Sequence, residues 1–322
     1  RSAVLGLTPP YSPMRNNPYH QPVVEHASSI EAEVRPPFTT LRYSLPRGFG
    51  VQVEMEAFSP MIPLDEKHSG LPVAFFRFTV TNRTSKPLEV ALVHAQRNLV
   101  GYTHSQHLSR MEFSRRGRVA GLRMTRDDMP KGESADGSMV IGAFGAGASS
   151  CAMHPRTDRD LWEPLRADGR LDDVDHGPFS GEVGNQGEGR RAWIQRGLPH
   201  GFLCRTLRLK PGQSASVVFC LAWHFPNMWE RDYAARDKRA ERIGHHYAQW
   251  FADAAGVFDY AVRRYPKLHD RTRAFCDAFH DSSLERWKLD AIAAQLTTLV
   301  KSSWWDAHGR FGIWEGDRKA HV

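Results

Sequence analysis

One carboxylate is marked out by its surroundings. Glu315 follows a helical stretch and lies within residues 309–316, among aromatic residues and glycines. Such surroundings can hold a carboxylate against a sugar while they exclude water. On spacing alone, an ordinary exposed glutamate in a turn is the better interpretation. A catalytic role for Glu315 therefore needs support from the rest of the chain.

Other motifs for chemistry are absent from the sequence. The chain has no serine-hydrolase elbow, phosphate-binding P-loop, dinucleotide-binding fingerprint or HExxH motif. The triplet 82–84 matches the glycosylation acceptor, and we interpret it as a chance match in a turn. Three groups of candidate metal ligands lack the required spacing or a further ligand: His104 with His107, His245 with His246, and Asp172, Asp173 and Asp175. We expect no metal ion and no cofactor.

The composition is typical of a globular protein. Hydrophobic residues make up 41% of the chain and charged residues 25%. The length of 322 residues is enough for two ordinary domains with a buried core. No apolar run approaches the roughly 18 residues of a membrane span, so we expect no transmembrane segment. The apolar stretch after Arg1 ends by Pro9 and is too short for a signal peptide. Because no initiator methionine is present, we expect that an upstream segment has been removed.

Charge and cysteine usage narrow the partners and the compartment. The net charge of +7 raises nucleic acid as a partner, but the densest basic runs, 115–118 and 190–191, are short and accompany no nucleic-acid-binding motif. We expect a mildly basic surface and no nucleic acid. The cysteines lack close spacing, which favours reduced, mostly buried thiols and a cytoplasmic location. They are Cys151, Cys204, Cys220 and Cys276.

Residues 1 to about 228 have the pattern of β-strands. In residues 73–80 one face is apolar through Ala74, Phe76, Phe78 and Val80, and Val73 and Phe75 add burial on the other. Turn residues at 82–87 follow, and the alternation then resumes, which predicts a β-hairpin. Because no helices alternate with the strands, an antiparallel β-sandwich is favoured over a parallel sheet. Further strands are predicted at 51–58, 138–142, 202–209 and 215–223.

Beyond residue 228 the pattern becomes helical. Apolar residues at three- and four-residue steps predict one helix over 243–261, which Pro266 ends. A second helix is predicted to begin at Ser282, with Glu285 completing a capping box. The apolar stripes over 243–261 and 284–299 predict packing surfaces.

The stretch around Glu315 resembles a family pattern. Residues 310–316 resemble the Arg-Phe-Gly-x-x-Glu-Gly segment of glycoside hydrolase family 116, the non-lysosomal glucosylceramidases and their bacterial β-glucosidase relatives. The resemblance covers roughly residues 45–316 and is poor over 103–200. Further segments resemble the family in the same order: Phe-Ser-Pro-Met-Ile-Pro at 58–63 with Leu-Pro-Val at 71–73, Arg-Asn-Leu-Val-Gly at 97–101, Leu-Ala-Trp-His-Phe-Pro at 221–226, and 275–284.

This resemblance implies a two-part architecture. The family has an N-terminal antiparallel β-sandwich followed by an (α/α)6 barrel that holds the active site. We therefore predict a β-sandwich domain at 1–228, a helical linker at 229–278 and the start of the barrel at 279–322. Such a barrel needs about twelve helices of about 11 residues plus loops, so this chain can hold only a truncated barrel.

The resemblance also implies a mechanism. Glu315 aligns with the nucleophile of a retaining β-glycosidase that hydrolyses β-glucosides, with glucosylceramide-like lipids as candidate substrates. Retention requires a second carboxyl group about 5 to 5.5 Å away. In the family this acid/base is a downstream aspartate beyond Val322, and neither Asp306 nor Asp317 is supported as a substitute. We expect the isolated chain to be inactive until the rest of the catalytic domain, or a partner chain, completes it.

Two other functions stay open. The chain could be a non-catalytic carbohydrate-binding or assembly subunit whose β-sandwich docks on a partner chain. Exposed apolar stripes near 243–261 and 284–299 would then be covered by that partner. A purely structural sandwich with accidental motif matches is less well supported, because the matches keep the family order.

Overall fold

The computed structural model describes residues 1–6, 25–102, 108–155, 159–177, 199–229 and 241–313. Strands dominate as far as His224, and helices with one short hairpin follow. The strands are β1 (Ala3–Val4), β2 (Glu25–His26), β3 (Ser29–Arg35), β4 (Phe38–Ser44), β5 (Val51–Phe58), β6 (Val73–Asn82), β7 (Leu88–Arg97), β8 (Ser109–Arg116), β9 (Val119–Arg126), β10 (Ser138–Gly145), β11 (Ala148–Met153), β12 (Val174–Asp175), β13 (His200–Leu209), β14 (Ser214–His224), β15 (Ser303–Trp305) and β16 (Phe311–Ile313).

Two long helices follow the strands. Helix α3 begins after Asp253, whose side chain accepts a hydrogen bond from the amide of Gly256. No helix among the described residues is long and apolar enough to cross a membrane. The helices are α1 (Glu66–Ser69), α2 (Arg159–Asp168), α3 (Ala254–His280) and α4 (Arg286–Lys301), and a 3₁₀ helix covers His246–Gln249.

Most of the described strands form two sheets. The larger has eight strands in the order β3-β4-β5-β6-β14-β10-β9-β8, and the smaller has four in the order β12-β11-β13-β7. All neighbours in the larger sheet are antiparallel, and the smaller sheet has one parallel pair, β11 with β12. The fold is therefore mostly antiparallel β-structure.

The main core lies between the two sheets. Side chains from the larger sheet, such as Leu122 and Ile141, share one buried cluster with Leu203 and Leu207 of the smaller sheet. These four side chains are almost completely shielded from solvent. Two sheets that bury a common apolar layer are consistent with the predicted β-sandwich.

Helix α3 covers the opposite face of the larger sheet. Its residues Val257, Phe258 and Leu268 join a second buried cluster with Phe75 of β6 and Val140 of β10. The larger sheet is therefore buried on both faces, which explains why Val73 and Phe75 are as apolar as their neighbours on β6.

The predicted strands are confirmed, but the predicted hairpin at 73–92 is wrong. Strand β6 pairs with β5 and β14 in the larger sheet, whereas β7 pairs with β13 in the smaller one. Asn82 organises this crossing, because its buried amide nitrogen donates to the carbonyls of Lys86 and Leu209. Local turn residues such as 82–87 are alike in a hairpin and in a crossing between sheets, so the pattern could not separate them. The same bonds leave the Asn82 nitrogen unavailable for glycosylation.

The predicted helix bounds are also wrong. Residues 243–253 form no α-helix and contain only the short 3₁₀ helix His246–Gln249. Helix α3 begins at Ala254 and continues through Pro266 to His280. Proline removes one helical hydrogen bond, but the apolar residues buried on both sides of it, Ala261 and Leu268, hold the helix against the sheet. Helix α4 begins at Arg286 rather than Ser282.

The two predicted apolar stripes differ in solvent exposure. The stripe at 243–261 is covered by the chain itself, since Ile243, Phe258 and Ala261 are buried. Helix α4, in contrast, exposes Leu284 in the turn before it and Trp287, Ile292 and Leu299 along it. Two long helices do not define a barrel, so the (α/α)6 barrel stays a prediction.

Candidate active site

The strand that leads to Glu315 belongs to a short hairpin. Strands β15 and β16 pair antiparallel, with Trp304 opposite Gly312 and Trp305 opposite Phe311. Residues 310–313 of the family-like segment are thus placed, while Glu315 itself lies outside the described residues, as does Asp317. The geometry of the site can be built as far as the strand directly before the predicted nucleophile.

Asp306 closes the turn between the two strands. Its Oδ1 accepts hydrogen bonds from the amides of His308 (2.9 Å) and Arg310 (2.8 Å), and its Oδ2 accepts from Arg310 Nε at 2.6 Å. Gly309, at φ +85°, supplies the left-handed conformation that the turn requires. Asp306 is 0% exposed, so this carboxylate is buried and fully engaged.

The bonds of Asp306 also determine its charge state. Burial would raise the pKa of Asp306, but hydrogen bonds from the Arg310 amide and guanidinium outweigh burial and hold that pKa below its usual range. A buried carboxylate that stays ionised and has its acceptors occupied cannot protonate a leaving group. This is a physical reason for not assigning Asp306 as the general acid.

The segment 243–250, which precedes helix α3, forms hydrogen bonds with the turn of the hairpin. The amide of Ala307 donates to the carbonyls of Ile243 and Gly244, both at 3.1 Å. His246 Nδ1 lies 3.0 Å from the carbonyl oxygen of Asp306, and Gln249 donates to the carbonyl of Ala307. The turn is therefore fixed through its own backbone as well as through the Asp306 side chain.

Aromatic stacking continues this attachment. The rings of His246 and Trp305 stack with centroids 3.9 Å apart and planes 11° apart. Trp250 meets both rings at nearly right angles. On the sandwich side, a Cβ added to Gly70 would lie 3.1 Å from Trp305, so the backbone after α1 approaches the indole closely.

Gly312 has a steric requirement of its own. A Cβ at this position would lie 2.5 Å from two carbons of the Trp304 indole, which covers the glycine from the opposite strand. Any side chain at 312 would displace either Trp304 or the strand. The glycine of the Arg-Phe-Gly pattern is thus explained by packing of the hairpin.

A second group of charged residues joins the sandwich to α3. Glu56 on β5 accepts from His269 Nε2 at 2.9 Å and from Arg273, whose guanidinium also lies 3.6 Å from the centre of the Phe38 ring. The hydrogen bond to Glu56 raises the pKa of His269. Burial would raise the pKa of Glu56, but His269, Arg77 and Arg273 outweigh burial and lower it. This cluster stabilises the contact between helix and sheet.

A serine, a histidine and an aspartate also lie in hydrogen-bonding sequence. His154 Nε2 is 3.3 Å from Ser109 Oγ, and His154 Nδ1 is 2.8 Å from Asp175 Oδ1. Ser109 and His154 are only 4% and 3% exposed, and Asn98 Nδ2 donates to the same Ser109 hydroxyl. A nucleophile must be reached by its substrate, so we interpret this network as a link between β8 and the smaller sheet.

Two of the other candidate metal ligands from the sequence have structural contacts: His245 stacks on Tyr247, and Asp173 accepts from the amide of Cys151. His104 and His107 lie outside the described residues. Within the described part of the chain, no group of three or more His, Cys, Asp or Glu side chains is placed to hold a metal ion. The prediction of buried, unpaired thiols is confirmed for all four cysteines.

Comparison with known proteins identifies the class and then the family. Residues 14–268 match the family described as "beta-glucosidase 2, glycosyl-hydrolase family 116 N-term". The chain therefore belongs to a glycoside hydrolase family. That family is family 116, matched through its N-terminal part, and the match confirms the resemblance seen in the sequence. It ends within α3, so the hairpin and Glu315 lie beyond it.

One solved structure provides a distant likeness. It is titled "Putative kojibiose phosphorylase from human microbiome" and matches 79% of this chain with a TM-score of 0.36 and 8% sequence identity. This chain spans 26% of that protein's length. A similarity at this level carries no argument about function.

Sequence reasoning missed the residues that hold the hairpin. Asp306 was considered only as an acid, and His246 only as a metal ligand. One signal was present: Asp-Ala-His-Gly at 306–309 is typical of a turn in which the aspartate side chain bonds the backbone two residues on. The contact between His246 and Asp306 spans 60 residues and could not be read from the pattern.

Proposed function

We propose that this chain is the N-terminal part of a retaining β-glycosidase that hydrolyses β-glucosides, with Glu315 as its nucleophile. The family match over residues 14–268 carries the proposal. The anchored hairpin supports it, because a nucleophile must be held at a fixed position and the strand before Glu315 is bound on several sides.

In this proposal the chain divides as the sequence predicts. Residues 1–228 form the sandwich domain, 229–278 link it, and 279–322 begin the (α/α)6 catalytic barrel. Helix α4 supports this division, since its exposed apolar face requires a covering layer. Barrel helices from outside these 322 residues, or from a partner chain, would cover it.

The reaction would proceed in two balanced steps. The Glu315 carboxylate attacks the anomeric carbon while an acid donates its proton to the departing glycosidic oxygen, which gives a covalent glycosyl ester. The same acid, now a base, then takes a proton from water as that water attacks the anomeric carbon and releases Glu315. The bonds of Asp306 make it unsuitable as this acid. The family resemblance implies an aspartate beyond Val322 in that role, so we expect the 322 residues alone to give no turnover.

Substrate and location are parts of the same proposal. A β-glucoside is the expected substrate, and glucosylceramide-like lipids are included as candidates. Four buried, unpaired thiols support a reducing compartment, and we propose the cytoplasm.

The test is one substitution in the complete protein. Glu315→Gln keeps the size of the side chain and removes the nucleophile, so hydrolysis of an aryl β-glucoside should fall by more than about 10³-fold. Glu112→Gln is the matched control, because the Glu112 side chain is half exposed on edge strand β8, outside the hairpin and the helices, and should leave turnover unchanged. Near-normal activity of Glu315→Gln would show that another group is the nucleophile.

The exposed face of α4 also fits the alternative of a non-catalytic binding or assembly subunit, in which a separate partner chain covers it. Trp287 is 66% exposed and Ile292 is 45% exposed on the same helix, which is unusual for large apolar side chains. If α4 docks on a separate partner chain, Trp287→Ser with Ile292→Ser should abolish that association without unfolding the sandwich, as light scattering would show. Turnover that depends on Glu315 would decide against this alternative.

A further inference from the structure

Strand β16 is the last described element before the proposed nucleophile. Glu315 follows Ile313, the last residue of β16, by two residues in the sequence. Contacts that hold β16 therefore act on the part of the chain directly before Glu315.

The Asp306 side chain fixes β16 from within the hairpin. Its two oxygens receive the amide and the guanidinium of Arg310, the residue that enters β16. The Asp306 amide in turn donates to the carbonyl of Arg310 at 3.0 Å. The start of β16 is thus held through side chain and backbone at once.

His246 fixes the hairpin to the end of the β-structure. Its Nδ1 is 3.0 Å from the Asp306 carbonyl oxygen, and its ring stacks on Trp305 of β15. The adjacent Tyr247 accepts from the Phe225 amide at 3.1 Å and donates to the Phe225 carbonyl at 2.7 Å. Phe225 directly follows β14 at the centre of the larger sheet. Contacts therefore run without a break from the sheet through His246 to the hairpin.

We propose that Asp306 and His246 are positioning residues for the proposed nucleophile, because they join β16, the strand directly before Glu315 in the sequence, to the two-sheet structure. The inference rests on the proposed function. It gives the sandwich a part in the reaction, since contacts from the segment after its last strand would influence the position of the nucleophile.

Positioning makes different demands on the two residues. Asp306→Asn keeps an oxygen that can accept from the His308 and Arg310 amides but loses the ionic bond to Arg310. Asp306→Ala loses all three bonds. His246→Phe keeps a ring that can stack on Trp305 and loses the Nδ1 contact, whereas His246→Ala loses both. A graded loss in each pair is the signature of positioning.

The experiment uses the complete enzyme and an aryl β-glucoside, with kcat and KM measured separately. A displacement of about 1 Å lowers reaction rates about 10²-fold, so Asp306→Ala should lower kcat about 100-fold and change KM by less than about threefold. Asp306→Asn should have a higher kcat than Asp306→Ala, and His246→Phe should have a higher kcat than His246→Ala. Phe258→Leu is the control for lost stability, because Phe258 belongs to the helix–sheet cluster, whose members include no residue of the hairpin. This variant should retain kcat at an assay temperature where it is folded.

Two outcomes overturn the inference. One is an Asp306→Ala enzyme that keeps more than half of the wild-type kcat while Glu315→Gln is inactive. The other is a kcat loss that Phe258→Leu reproduces at an equal fall in melting temperature. If the Glu315→Gln enzyme remains active, the proposed function itself is contradicted, and the positioning role is contradicted with it.

Discussion

Gly142→Ala should destabilise the chain because Phe258 already occupies the space above strand β10. A Cβ built on Gly142 would lie 1.9 Å from Phe258 Cε2 and 2.3 Å from Cζ. Carbon atoms in ordinary contact are about 3.5–4.0 Å apart, so the ring must move by more than about 1.5 Å. Gly121, its neighbour on β9, has the milder approach of 3.3 Å.

The expected magnitudes follow from this packing. Overpacking a core costs about 1–3 kcal/mol, and we expect Gly142→Ala near the upper end and Gly121→Ala near or below the lower end. Phe258 is 6% exposed, so Phe258→Ala should cost about 3–5 kcal/mol. In the Phe258→Ala background the added Cβ has room, and Gly142→Ala should then cost nearly nothing. The coupling free energy between the two positions is thus about 2–3 kcal/mol.

Urea unfolding, followed by circular dichroism and tryptophan fluorescence, measures this double-mutant cycle. The free energies of unfolding of wild type, both single variants and the double variant are compared, with one common slope of free energy against urea concentration for all four. The reasoning is refuted if Gly142→Ala costs the same in both backgrounds to within about 0.5 kcal/mol. Helix α3 would then not pack on the sheet through Phe258.

Two further predictions concern titratable groups. Because the bond to Glu56 raises the pKa of His269, its stabilisation is present below about pH 6.5 and is lost as pH rises through the raised value. The free-energy difference between wild type and His269→Asn should therefore be larger at about pH 5.5 than at about pH 9, and the opposite trend would contradict the assignment. Burial raises the pKa of the Cys151 thiol to about 12 and raises those of the other three cysteines. Iodoacetamide should label the native chain far more slowly than the chain in guanidinium, as mass spectrometry would show, and rapid native labelling would contradict the buried positions.

Strand positions were predictable because they depend on local alternation. Val51–Phe58 was predicted with the bounds that the structure has, and β14 was predicted to within one residue at each end. In Val51–Phe58 apolar and polar residues alternate as far as Glu56, whereas β14 is a nearly continuous apolar run that follows a turn, and both patterns are typical of strands.

Partner choice was not predictable from local patterns. Strands β6 and β7 are neighbours in sequence but lie in different sheets, and the deciding contacts involve Leu209 and Gly212, more than a hundred residues away. The end of α3 was misplaced for the same reason, since the buried surface of the sheet outweighs the local effect of Pro266.

The candidate site divides in the same way. Glu315 is predicted from a short segment that resembles a family pattern, and that prediction needs no knowledge of the fold. The contacts of Asp306 and His246, which hold the strand before it in the sequence, were not predictable because the His246–Asp306 contact joins distant segments. The burial of the Asp306 carboxylate and its three hydrogen bonds depend on the folded structure and cannot be read from the sequence.

The most direct test of the central claim is to trap the glycosyl ester on the complete enzyme. An activated 2-deoxy-2-fluoro β-glucoside slows both steps but lets the ester accumulate when its leaving group is good. Peptide mapping by mass spectrometry should then find one added fluoroglucosyl group on the peptide that contains Glu315, and none on that peptide in Glu315→Gln. A label on a different carboxylate, or a turnover product with inverted anomeric configuration, would contradict the assignment of Glu315 as the nucleophile of a retaining glycosidase.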